Sequence, residues 1–174
     1  MISIVAGKLL LHLFCAGLYD FHRDEIYLLI CGRHESFGTP DHAPLAPAVA
    51  RLAELLFGGT AAGLRVMAAL LATATLALTA RLTRRLGGDA KATAIAAIAG
   101  LVAPVFIFYG GVYCTGTLEA LCWIVSCDFL LTALRRDRAR DWVLFGAALG
   151  IGFLAKHTAA LAALGLYAGL LFSD

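Results

Sequence analysis

At 174 residues the chain has the length of one domain, but 61% of it is hydrophobic, only 15% is charged and its mean hydropathy is +0.85, which excludes an ordinary soluble domain. The formal net charge of +2 is too small to point to a polyanionic partner, and no basic stripe interleaved with aromatics suggests nucleic acid. A crossing needs about 20 mostly apolar residues, so there is room for about five or six membrane helices. Residues 1–174 therefore read as one integral-membrane module of all-α class, a polytopic transmembrane helical bundle.

The N-terminal MISIVAGKLLLHLFCAGLY resembles a signal peptide, but it lacks a basic start followed by a small-residue cleavage site. It is predicted to be a retained first span, roughly Ile2 to Leu18, with its N-terminus inside. The polar stretch YDFHRDEIYLLICGRHESFGTPDHAPL then gathers acids, bases and imidazoles between apolar runs. It belongs to a first outer loop of about residues 19–57. From Asp24 to His34 the spacing is helical, with Ile26, Leu29, Ile30 and Arg33 on one side, which suits a short helix lying in the membrane plane. Gly38, Thr39, Pro40 and Asp41 break it. Pro44 suits a helix start, and Ala46 to Phe57 is amphipathic, a second surface helix.

Span two is predicted at about Ala61–Ala80, ending at Arg81, Arg84, Arg85 and Lys91. Span three runs about Ala92–Tyr109 and should kink at Pro104. Span four runs about Tyr113–Leu134 and ends at Arg135, Arg136, Arg138 and Arg140. The two basic clusters are two crossings apart, so they share a side, and the positive-inside rule makes it cytoplasmic. Trp142 to Leu154 covers only about 20 Å at 1.5 Å per residue, short of a core of about 30 Å. Lys156 and His157 interrupt there, and Thr158 to Phe172 is apolar again. Two short helices with Lys156 near the outer face are expected, with one broken helix as the alternative.

Several side chains along this path can carry chemistry. Arg23, Asp24 and Glu25 open the first surface helix. The two carboxylates either complement the helix dipole, or one of them takes a proton from an acceptor hydroxyl. His42 lies either in a polar turn or against an anion held at the membrane surface. The spacing of His34, Asp41 and His42 matches no standard zinc pattern, so no metal site and no cofactor are expected, with a divalent ion left open. Glu119 and Asp128 sit inside span four, nine residues apart and so on opposite sides of a helix. Glu119, nearer the outer end, is the cavity candidate, and Asp128 is expected to pair with a base from another span. Arg65 either snorkels to the interface or faces a cavity. The five cysteines form no CxxC pair and read as inert apolar side chains.

Taken in order, FHRDEIYLLICGRH, PDHAPLAPAVARL, LRVMAALLATATLALTARLTRRLGG, APVFIFYGG with TLEALCW, and GIGFLAKHT resemble the N-terminal region of bacterial membrane glycosyltransferases of the dolichyl-phosphate-mannose protein mannosyltransferase superfamily. This is glycosyltransferase family 39 of the GT-C group, which includes the lipid A aminoarabinose transferases. The resemblance implies a GT-C-like N-terminal module in a bacterial inner membrane, multi-pass with a cytoplasmic N-terminus. It implies transfer of a sugar from a polyprenyl-phosphate-linked donor to an acceptor at the periplasmic face. It implies Asp24 as general base with Glu25 beside it, and His42 and Lys156 as cations for the lipid phosphate, Arg23 joining them. Gly116 stands where many members carry Asp or Asn, although Glu119 keeps a later acid, and typical members are far longer. A catalytically inactive truncated membrane subunit is therefore the alternative expectation. A small multi-pass transporter fits less well, because the ionisable groups crowd into one loop and no internal repeat is visible.

Overall fold

The computed structural model describes residues 1–34 and 42–172, and every element among them is helical. The helices are α1 (Ile2–Cys15), α2 (Arg23–Arg33), α3 (Leu45–Phe57), α4 (Ala61–Arg85), α5 (Ala90–Val102), α6 (Pro104–Gly111), α7 (Thr115–Arg136), α8 (Ala139–Ala155) and α9 (Ala159–Leu171). The expected break over Gly38 to Asp41 lies outside the described residues.

Length divides these helices into classes. At 1.5 Å per residue, α4 with 25 residues and α7 with 22 reach about 38 and 33 Å, enough to cross a bilayer core. The pair α5–α6 passes only as one bent span, turning through 62°. Its break falls where the kink is expected but is sharper, because Pro104 offers no N–H and holds Ala103 in extended backbone, φ −63° and ψ 127°. α1 and α9, with 14 and 13 residues, are apolar but shorter than a core thickness. α8 and α9 are separate helices with Lys156 between them, the expected arrangement of that region.

α4 is the central element. Thr60 caps it, its hydroxyl accepting the Gly63 N–H at 3.1 Å, and Arg84 and Arg85 close it where the helix dipole favours cations. Its buried face is mostly small, with Ala68, Ala69, Ala72 and Ala80, which lets neighbouring helices approach closely. α7 runs alongside α4, and their ends are clamped together. Asp128 of α7 meets Arg85 at 2.5 Å and Arg81 at 3.2 Å, so it has the basic partner expected of it. Arg135 also donates to the Arg85 carbonyl.

At the other end of the bundle, α2 and α3 pack over α4, α7 and the end of α8. One apolar core is shared there by Leu28, Leu29, Ala50, Leu64, Leu118 and Ala155. α2 buries Glu25, Leu28, Leu29 and Gly32 and leaves Ile26 and Ile30 exposed. Of the expected face, Leu29 is buried in the core, while Ile26, Ile30 and Arg33 stay on the outer surface, where a helix lying in the membrane plane leaves them. The inner face is set by Glu25, drawn inward by Arg65 (below), and by Gly32, which sits directly against the Pro47 carbonyl of α3, where a Cβ would collide. The exposed Leu52, Leu55 and Leu56 of α3, so close to the start of the α4 span, suit a helix lying in the membrane surface.

α2 and α3 are braced by Glu54, which accepts from Arg33 Nε at 2.9 Å and from Arg51 at 2.6 Å. Hydrogen bonding from Arg33, then from Arg51, holds the Glu54 carboxyl below its ordinary value. The folded pKa thus lies below the unfolded value of about 4.3. The brace contributes above that value and is lost as pH falls through the folded pKa. Amide hydrogen exchange across α3 should rise below about pH 4, and Glu54→Gln should show the raised exchange already at neutral pH. An α3 exchange profile unchanged in both conditions would contradict the brace.

Candidate functional site

Asp24, Tyr27, Leu28, His42 and Thr115 line a cavity of about 170 Å³. They come from α2, the approach to α3 and the first turn of α7. His22 begins this construction. Its Nδ1 accepts the Asp24 N–H at 3.3 Å, and its own N–H donates to Glu25 Oε2 at 2.8 Å, a reciprocal cap that fixes the first turn of α2. Asp24 is tied down through its backbone, and its half-exposed carboxylate is left to the cavity. Its neighbours are Arg23 Nε at 3.3 Å and His22 Nδ1 at 3.9 Å. Arg23 is 90% exposed, so that pair is screened and weak. The His42 ring lies 5.1 Å from the Tyr27 ring.

Glu25, expected beside Asp24 as a second acid of the site, points the other way. Its oxygens take four hydrogen bonds: Oε1 from Arg65 Nε at 3.1 Å and the Tyr113 N–H at 3.2 Å, Oε2 from Arg65 Nη2 at 2.9 Å and the His22 N–H at 2.8 Å. A carboxylate has about four lone-pair positions, so none is left to receive a substrate proton. Arg65 is saturated in the same way. Beyond Glu25 it donates to the carbonyls of Ala16 at 3.0 Å, Tyr19 at 2.6 Å and Asp20 at 2.7 Å, and its guanidinium lies 3.8 Å from the Tyr19 ring centroid. Neither side chain is exposed. Arg65 thus neither snorkels nor faces a cavity: it pins α4 to the α1–α2 connection, and through Glu25 it sets the orientation of Asp24.

Tyr113 extends the same lock. It is fully buried, and besides its N–H bond to Glu25 its hydroxyl donates to the Ala46 carbonyl at 2.8 Å. It thereby holds the α6–α7 connection against α2 and α3, and Thr115 at the cavity wall lies two residues on. Its only advance signal is an aromatic with a polar tip beside a helix start.

Lys156 and Glu119 are brought together. Lys156 Nζ lies 2.9 Å from Glu119 Oε2, and the Thr158 hydroxyl donates to Glu119 Oε1. The counter-anion for Lys156 inside the fold is therefore an acid of α7. Its side chain is still 38% exposed, with N–H groups to spare. Glu119 also lines an apolar cavity of about 390 Å³ between α4, α6 and α7, with Tyr109, Gly116 and Trp123 on its walls. Lys156 is not among the residues lining the Asp24–His42 cavity. Thr115 and Glu119 lie one turn apart on α7, about 6 Å along its axis, so this helix carries a wall residue of each cavity. At Gly116 a Cβ would lie 2.5 Å from the Tyr109 ring; here an aromatic ring occupies the space that a side chain at that position would need.

Two buried ionisable groups have no place in the expected site, Lys8 and His12 of the apolar helix α1, 1% and 4% exposed. Four residues apart, they share one face of the helix. Lys8 Nζ donates to the Phe106 carbonyl at 3.1 Å, and the His12 ring fills the space where Gly110 lacks a side chain. An ionisable residue inside an apolar span was the signal available for both. Among the described residues no group of three or more His, Cys, Asp and Glu is arranged to hold a metal.

A family model described as dolichyl-phosphate-mannose-protein mannosyltransferase matches residues 41–174. The matched stretch includes His42, Arg65, Glu119 and Lys156 and begins after Asp24 and Glu25. No curated protein and no solved structure matches the chain.

Proposed function

The chain belongs to the dolichyl-phosphate-mannose-protein mannosyltransferase family, membrane glycosyltransferases, and on that premise we propose that its Asp24–His42 cavity receives a sugar carried on a polyprenyl phosphate and passes it to an acceptor hydroxyl. The observation that carries this reading is the meeting of Asp24 and His42, distant in sequence, on the walls of one small cavity beside the start of a membrane-crossing helix. The arginine clusters at the ends of α4 and α7 favour the cytoplasm by the positive-inside rule. The cavity then faces the opposite side, the periplasm of a bacterial inner membrane.

A polyprenyl phosphate is a good leaving group and needs little acid help. The reaction needs a base for the acceptor and positive charge for the departing phosphate. Asp24 takes the acceptor's proton as its oxygen attacks the anomeric carbon, and the C–O bond to the phosphate breaks. His42 and the exposed side of Lys156 meet the phosphate oxygens, with Arg23 free to swing in from the surface. The apolar cavity at Glu119 suits the first isoprene units. Glu25 and Arg65 hold the frame.

Hydrogen bonds to charged groups contribute about 1.5–3 kcal/mol. His42→Ala and Lys156→Ala should therefore each weaken binding of a short-chain polyprenyl phosphate about tenfold to a hundredfold, read by titration of the purified protein. Unchanged affinity in both variants would overturn the phosphate assignment.

A further inference from the structure

We propose that a second cavity, between α1, α4 and α5, binds the anionic head of an aliphatic chain, with the Lys8 ammonium as its recognition group. The cavity has a volume of about 250 Å³ and is lined by Lys8, Thr75, Thr79, Ala99, Phe106 and small apolar residues of α4 and α5. Asp24 and His42 line neither this cavity nor the one at Glu119.

Charge calls for an anion beside Lys8. Lys8 is 1% exposed and makes one hydrogen bond, to the Phe106 carbonyl, although an ammonium carries three N–H donors. Among the described residues no carboxylate pairs with it: Glu25 is held by Arg65, Glu54 by Arg33 and Arg51, Glu119 by Lys156, and Asp128 by Arg81 and Arg85. A cation inside an apolar bundle without an internal counter-charge is costly and marks a ligand path. An oxyanion supplies both the charge and the two missing acceptors.

The shape of the cavity and its access suit an aliphatic chain. Apart from Lys8, the polar groups on the wall are the hydroxyls of Thr75 and Thr79, whose protons are already given to the Leu71 and Thr75 carbonyls. Ala99 on the rim is exposed, so the cavity opens on the side of α5 that faces lipid. An aliphatic chain entering past Ala99 thus meets the apolar walls of α4 and α5, and only its head needs a polar partner.

The test uses the full chain in detergent with three probes of equal chain length: laurate, dodecyl phosphate and dodecanol. Retention is read by native mass spectrometry and affinity by thermal shift. At least one of the two anions should be retained, dodecanol at least about tenfold more weakly, and Lys8→Met should lower the anion's affinity about tenfold or more. Ala99→Trp, which closes the rim and leaves Lys8 in place, should lower it as well, and this variant keeps the proposal testable if Lys8→Met does not fold. Failure to retain either anion, equal binding of dodecanol, or unchanged affinity in Lys8→Met or Ala99→Trp would overturn the proposal. None of these outcomes touches the sugar-transfer reading.

Discussion

Asp24→Asn is expected to slow sugar transfer by about 10²–10⁴-fold, the usual contribution of a general base, while leaving the protein as stable as before. The expectation of intact folding comes from the local geometry. The capping bond from residue 24 to His22 is made by its backbone N–H, not by its side chain. The carboxylate's ion pair is to Arg23, which is 90% exposed, and such pairs contribute little. Asparagine keeps the size and removes only the ability to accept the proton. The loss should therefore appear in kcat, with the affinity for a polyprenyl phosphate retained, because the phosphate is met by other residues. Transfer within a factor of two of the parent chain would rule out Asp24 as the base.

Arg65→Met should have the largest effect on stability, about 3–5 kcal/mol, the range for removing one partner of a buried ion pair. It leaves Glu25 buried without its counter-charge and the carbonyls of Ala16, Tyr19 and Asp20 without their donor. Glu25→Met alone should cost a similar amount, since it strands the guanidinium. The double variant should recover part of the loss, as replacing both charges removes the unpaired one, but the three carbonyls remain unmet. The loss should also exceed that of Lys156→Ala, because Lys156 is partly exposed and water can replace it around Glu119. Denaturation in a fixed detergent would measure all four. A loss below about 1 kcal/mol in Arg65→Met would mean that the pair is not what holds α4 to the α1–α2 connection.

The long helices were readable because their signals are local. Apolar runs, the clusters of arginine and the missing N–H of Pro104 act within a few residues, and α4, the α5–α6 break and α7 follow from them. Lys156 between two short helices is of the same kind. The inward turn of Glu25 on α2 is not readable, because it is decided by Arg65, 40 residues away. For the same reason the two acids of the Asp24–Glu25 pair look equivalent in sequence and are not in the fold: one is enclosed by four donors, the other faces a cavity. Glu119 and Lys156 each stand out in the sequence, but their pairing spans 37 residues and needs the turn between α8 and α9 to exist first. Lys8 and His12 are hidden inside a span that also reads as an insertion signal, where a polar residue draws little notice.

On the proposed function, the sugar-phosphate end of the donor sits in the cavity formed by Asp24, Tyr27, His42 and Thr115. A short polyprenyl-phosphate sugar carrying a photoreactive diazirine on the sugar ring tests it most directly, with the cross-linked residues identified by peptide mass spectrometry. The predicted result is labelling of α2 around Tyr27 and of the segments holding His42 and Thr115, competed by unlabelled donor. Competed labelling confined to other parts of the bundle, with these three segments unmarked, would contradict it.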